Sequence, residues 1–143
     1  VDWKVGRITR KRSKEKDEEN VPEVQYQLWN RTFTLLNQHR SADPVRALLN
    51  TRGNPFVTVT KNRTDTIGQA WSKLPPELTA GKTLKVFRKT GSTLLDDHDT
   101  YGRYTLHYLG HSPRSVAAKH YITPSQKNFD LAIKWLGQQF GIE

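Results

Sequence analysis

Between Tyr108 and Tyr121 the chain sets an imidazole (His111), three further cation or proton carriers (Arg114, Lys119, His120) and a phenol (Tyr121) close together, shaped by Gly110 and Pro113. A second dense group, Lys85-Val86-Phe87-Arg88-Lys89-Thr90, precedes it. These side chains suit attack on a phosphodiester. Cations hold the phosphate oxygens, an imidazole handles a proton and a hydroxyl attacks. The loop Asp96-Asp97-His98-Asp99 offers one histidine among carboxylates without a defined ligand spacing, so no metal is expected.

The whole chain agrees with a polyanionic partner. Its 143 residues carry 23 Lys and Arg against 14 Asp and Glu, a formal net charge of +9. Such an excess favours nucleic acid or an acidic membrane surface. The absence of cysteine excludes disulfides and thiolate metal sites. No apolar run approaches the ~20 residues that span a bilayer. A soluble, cytoplasmic protein is expected, with no membrane partner. The chain starts at Val1-Asp2-Trp3 and contains no methionine, which suggests a piece of a longer protein.

Periodicity supplies the elements that must position these groups. Loose alternation over Trp3–Arg12 and clean alternation over Val24–Leu28 predict two strands of a hairpin, with the charged run 10–20 at its tip. A helix is expected over Asn30–Gln38, capped by Asn30, with Phe33, Leu36 and Trp29 turned inward. A short strand is expected at Val45–Leu49, and a turn at Arg52-Gly53-Asn54-Pro55. The next helix should run from Asp65 to Leu74, capped by Thr64 or Asp65 and ended by Pro75-Pro76. Lys61 and Arg63 stand just before it, where a helix N-terminus can meet a phosphate. A helix over Thr83–Leu95 carries Leu84, Phe87, Gly91 and Leu94 as one stripe, with Arg88 at its edge and Lys85 beside it. Two such cations repel each other unless an anion lies between them. Thr100–Leu109 reads as a helix with Tyr101, Tyr104 and Tyr108 in the core, ended by Gly110. Ser112-Pro113 opens another, and Thr123-Pro124-Ser125-Gln126 reads as a capping box for the last. That last helix has an apolar stripe (Phe129, Ala132, Ile133, Leu136, Phe140) and a smaller one, Leu131 with Trp135, nearly opposite.

These residues resemble the catalytic domain of the tyrosine recombinases, the phage-integrase family. Leu109-Gly110-His111 followed by Tyr121 resembles its L-G-H…Y box. Leu84-Lys85-Val86-Phe87-Arg88-Lys89-Thr90 resembles its H-x-x-R-[HK]-T box. Arg12-Ser13-Lys14 leading to Val21-Pro22 resembles its R-x-K-T…V-P hairpin, and Asp2-Trp3 loosely resembles the W-x-D-I segment that opens it. The four occur in the family's order along nearly the whole chain.

The resemblance implies an α+β fold, mostly helical with a small antiparallel hairpin sheet on one side, and makes residues 1–143 the C-terminal part of the catalytic domain. It also implies a mechanism. Tyr121 attacks DNA to give a 3′-phosphotyrosine, Arg88 and His111 hold the phosphate, Lys85 occupies the usual histidine position and Lys14 protonates the leaving 5′-oxygen. Lys11 and Lys16 are rivals for that last role. Arg10, Arg12, Lys61, Arg63, Lys89, Arg114 and Lys119 are expected on DNA. The implied partners are double-stranded DNA and further copies of the chain, a tetramer joined through the last helix. Neither a cofactor nor a small-molecule substrate is implied.

The chain departs from the family pattern at three places. Lys85 replaces histidine, His111 and Tyr121 stand ten rather than nine residues apart, and the expected upstream G-x-R-x-x-E segment is not matched by Gly6-Arg7-Ile8. A truncated N-terminus accounts for the last, and the fragment alone should then be inactive. The alternatives are a non-catalytic DNA-binding module of the same fold and a type IB topoisomerase-like enzyme.

Overall fold

The computed structural model describes residues 1–12, 21–59, 61, 63–113, 115 and 124–142. It is a mixed α+β chain that divides into two compact units, residues 1–34 with 90–143 and residues 35–89.

The first unit holds the hydrophobic core. Strands β1 (Arg7–Lys11) and β2 (Glu23–Gln27) pair antiparallel, with Arg10 opposite Val24 and Ile8 opposite Tyr26. The alternation along β2 turns Val24 and Tyr26 toward the core and leaves Glu23 and Gln25 out. A turn at Asp2–Gly6 leads into β1: the Asp2 carboxylate accepts the Lys4 N–H at 2.9 Å, and Gly6 takes φ +64° against the Phe33 ring.

Helix α1 (Asn30–Gln38) starts in this unit. Asn30 lies inside the helix rather than at its cap, and the Trp29 carbonyl accepts the Phe33 N–H. Three further helices belong wholly or partly to the second unit and are described with it. In the first, a 3-10 turn (Gly102–Tyr104) runs directly into α5 (Thr105–Leu109), so the single helix expected over 100–109 divides in two. Helix α6 (Gln126–Gln139) carries the central stripe, with Phe129, Ala132, Ile133 and Leu136 buried. Its cap is Ser125, whose hydroxyl accepts the Asn128 N–H, while Thr123 of the expected capping box lies outside the described residues.

Two close approaches tie this core together. Gly137 admits the Trp29 indole: a Cβ there would stand 2.6 Å from Nε1 and 2.7 Å from the Ile142 carbonyl. That indole N–H donates to the Ile133 carbonyl at 2.7 Å. On the other side the Arg7 guanidinium forks onto the Asp130 carboxylate, and Gln126 bridges Asp130 to the Gln25 carbonyl. Arg7 is thus the clamp between β1 and α6, and the Asp130 hydrogen bond holds its guanidinium even more firmly protonated than usual.

The second unit consists of strands β3 (Val57–Val59) and β4 (Arg63–Asp65), α2 (Thr66–Ser72), α3 (Pro76–Thr79) and the first turn of α4 (Lys85–Asp96). The strand expected at Val45–Leu49 is absent. Asp43 accepts the N–H groups of Val45 (2.8 Å) and Arg46 (2.7 Å), which turns the chain there and lowers the carboxyl's pKa. The turn at 52–54 does form, with Gly53 at φ +73°. Asp65, not Thr64, caps α2 through the Gly68 N–H. Trp71 packs edge-on against Phe87 at 5.5 Å and donates its indole N–H to the Lys82 carbonyl. Among the described residues of this unit, none is buried.

Candidate active site

The backbone turns sharply just before His111. Gly110 takes φ +64°, the left-handed conformation that glycine adopts without a Cβ penalty. Its N–H bonds to the His107 carbonyl (2.8 Å), and the His111 N–H reaches back to the Leu106 carbonyl (2.9 Å). This 6→1 and 5→2 pair closes α5 and turns the chain sharply at the imidazole. From there the half-buried His111 lines an open cleft of about 600 Å³ with Ser92, Thr93, Asp96, Arg103 and Thr105.

The hairpin meets this loop. A Cβ on Gly110 would lie 3.9 Å from the Cβ of Arg12, the residue at which the chain leaves β1. The Tyr26 hydroxyl on β2 donates to the Tyr108 carbonyl at 2.8 Å, so the returning strand is tied to the last turn of α5. Arg12 and Gly110, nearly a hundred residues apart in the chain, are therefore neighbours. Arg10 is exposed and Arg12 half-buried at this edge.

Helix α4 carries the second group. Lys85 is its first residue and exposed; Arg88, one turn on, is half-buried, and Lys89 is exposed. The expected stripe is only half realised. Gly91 is buried against the Tyr108 ring and Leu95 is fully buried, whereas Leu84 and Phe87 are 37% and 51% exposed. Lys61 is exposed between β3 and β4. Arg63 is exposed on β4 and meets the Asp65 carboxylate at 3.4 Å. Tyr121, Lys14, Arg114 and Lys119 lie outside the described residues, as do Lys16, His120 and most of the helix expected after Ser112.

The loop histidine and Trp135 pack together. The loop histidine His98 is a structural group: its Nδ1 accepts the N–H groups of Thr100 and Tyr101, and its ring stacks on Tyr101 (4.3 Å) and meets Trp135 edge-on (4.6 Å). Among the described residues, no cluster able to hold a metal is present. Trp135 consequently belongs to the core side of α6, leaving Leu131 exposed alone beside an open groove with Lys134 and Gln138.

His107 was not singled out by spacing. It sits on α5 with its ring edge-on to Phe129 at 4.7 Å, and burial lowers its pKa. Only the fold reveals this, because neither of its neighbours in sequence marks it.

Among the described residues, no helix is long and apolar enough to cross a membrane. Comparison with family models, characterised proteins and solved structures finds no match to this chain.

Proposed function

We propose that the chain is the catalytic part of a tyrosine-type DNA strand transferase, a site-specific recombinase or integrase. The observation that carries this reading is the meeting of the Arg12 end of the hairpin with the Gly110-His111 loop, two of the three segments that such chemistry needs on one phosphate. The arginine-bearing turn of α4 and the +9 charge support it.

In the proposed reaction the Tyr121 oxygen bonds to phosphorus and the bond from phosphorus to the 5′-oxygen breaks. The leaving oxygen takes a proton from Lys14. Arg88 spreads its fork over the non-bridging oxygens, and His111 receives or shares the phenol's proton. A phenol with a pKa of about 10 needs such cations to attack at neutral pH. The phosphotyrosine retains the bond energy, so a 5′-hydroxyl can reseal the strand. Assembly of four copies on duplex DNA would use the exposed side of α6 around Leu131. A bacterial or phage source and a cytoplasmic location fit the same reading.

The test is covalent trapping on a duplex nicked next to the scissile phosphate. A DNA adduct that resists denaturant and vanishes in Tyr121→Phe is expected, with Arg88→Ala slowing its formation by ~10²-fold or more. Tight binding without any adduct would instead make the chain a non-catalytic DNA-binding module.

A further inference from the structure

We infer that the surface formed by Ile67, Leu74, Leu78 and Phe87, rimmed by Lys73 and Lys82, docks an acidic amphipathic helix of a partner protein. The inference goes beyond the strand-transfer reading and uses none of the residues assigned to DNA.

The patch lies inside one unit. Among the described residues, all eight buried hydrophobic side chains lie outside 35–89, while nine of the twelve exposed large ones lie within it. Five of those nine, the four above and Leu84, fall between the start of α2 and the first turn of α4. Trp71 gathers them. Ile67 stands one helical turn before it on α2, and the Leu74 N–H reaches the Trp71 carbonyl at 3.1 Å, which carries that face one turn further. The chain then turns back through Ala80 and Gly81, both at positive φ (48° and 63°). The Trp71 indole donates to the Lys82 carbonyl at 2.7 Å, and the Phe87 ring meets it edge-on. A single exposed apolar side chain needs no explanation, but several on one local framework mark a surface that another molecule covers.

Charge selects the occupant. Residues 35–89 carry ten Lys and Arg against three Asp and Glu, compared with thirteen against eleven in the rest of the chain. Between Thr66 and Lys89 the sequence has one carboxylate, Glu77. Lys73, the C-cap of α2, and Lys82 are both exposed, and neither has a carboxylate partner among the described residues. Self-association through this patch sets lysine against lysine. A DNA duplex pairs with the lysines but has no apolar face for the aliphatic side chains, and those side chains offer no flat surface for an unpaired base to stack on. A helix with Leu or Phe at i, i+3, i+4 and i+7, flanked by Glu and Asp, meets both demands. Its apolar stripe covers the patch, and its carboxylates face the lysine rim and fix the register.

The experiment uses the full chain and a fluorescein-labelled probe peptide of ~18 residues, with Leu and Phe at that spacing and Glu or Asp elsewhere. Anisotropy at low salt should show saturable binding with a Kd below ~100 μM. Lys73→Gln combined with Lys82→Gln should weaken it ~5-fold, an effect that shrinks when salt is raised to about 0.5 M. Leu74→Ser combined with Leu78→Ser should weaken it ~10-fold or more at either salt concentration. Val45→Ser, an exposed site of the same unit outside this stretch, should change nothing. Amide shifts during the titration should be confined to residues 66–89.

Failure of the peptide to saturate, equal binding of a counterpart with lysine in place of its acidic residues, or unchanged affinity in the lysine pair would overturn the proposal. The lysine pair keeps the test decisive even where the leucine pair disturbs the fold, since both lysine side chains are exposed. Tighter binding of an oligothymidine or of phosphatidylserine vesicles, with the same dependence on Leu74 and Leu78, would give the surface to single-stranded DNA or to lipid and overturn it as well.

Discussion

Two histidines four residues apart on one segment have opposite surroundings. His107 is turned into the core against Phe129, whereas His111 stands past the Gly110 cap at an open cleft. Burial lowers the His107 pKa from its ordinary 6.5, so the folded state keeps the ring neutral while the unfolded chain protonates it. Stability attributable to this ring is full above pH ~6.5 and falls as pH drops below it, because the unfolded state then binds more protons. Urea midpoints measured from pH 7.5 to 5 should decline along this curve, and His107→Phe should flatten it. Gly110→Ala should cost about 1 kcal/mol in urea unfolding, from the left-handed backbone alone. If His111 acts on phosphate, adduct formation should fall by more than that stability loss explains. The Gly110 cap before His111 was legible in the sequence; the burial of His107 was not, since it depends on α6, which follows it in the chain.

At the scale of elements, the last helix shows what periodicity can and cannot decide. The stripe Phe129, Ala132, Ile133, Leu136 is buried as its spacing demanded. The second stripe divides: Leu131 is exposed, whereas Trp135 finds partners in Tyr101 and His98, residues of a loop that no helical period describes. Trp135→Ala should therefore lower stability by ~3 kcal/mol, with assembly on DNA weakened only in parallel. Loss of assembly at unchanged stability would instead make Trp135 an interface residue. Gly137→Ala, whose methyl group must displace the Trp29 ring or the Ile142 carbonyl, should cost about 1–3 kcal/mol by thermal or urea unfolding. The hairpin and α2 were legible from alternation and cap residues. The strand at 45–49 failed because Asp43 captured two backbone amides, a local competition that apolar content does not reveal.

For the whole molecule, net charge forecasts affinity that depends on salt. With about six phosphates engaged, duplex affinity should drop ~10³-fold between 50 and 200 mM salt, measured by fluorescence anisotropy, and a flat response would exclude DNA as partner. The total charge was visible in composition, but its segregation into residues 35–89 emerges only once the core is located elsewhere. The cap at Gly110 has a practical corollary. It uses the main chain of His111, so the backbone turn survives a change of side chain at 111. In a protein with no native thiol, His111→Cys would supply a unique attachment point at the mouth of the cleft. A disulfide cross-link to oligonucleotides bearing a tethered thiol at successive phosphates could then map, nucleotide by nucleotide, which linkage comes to rest there.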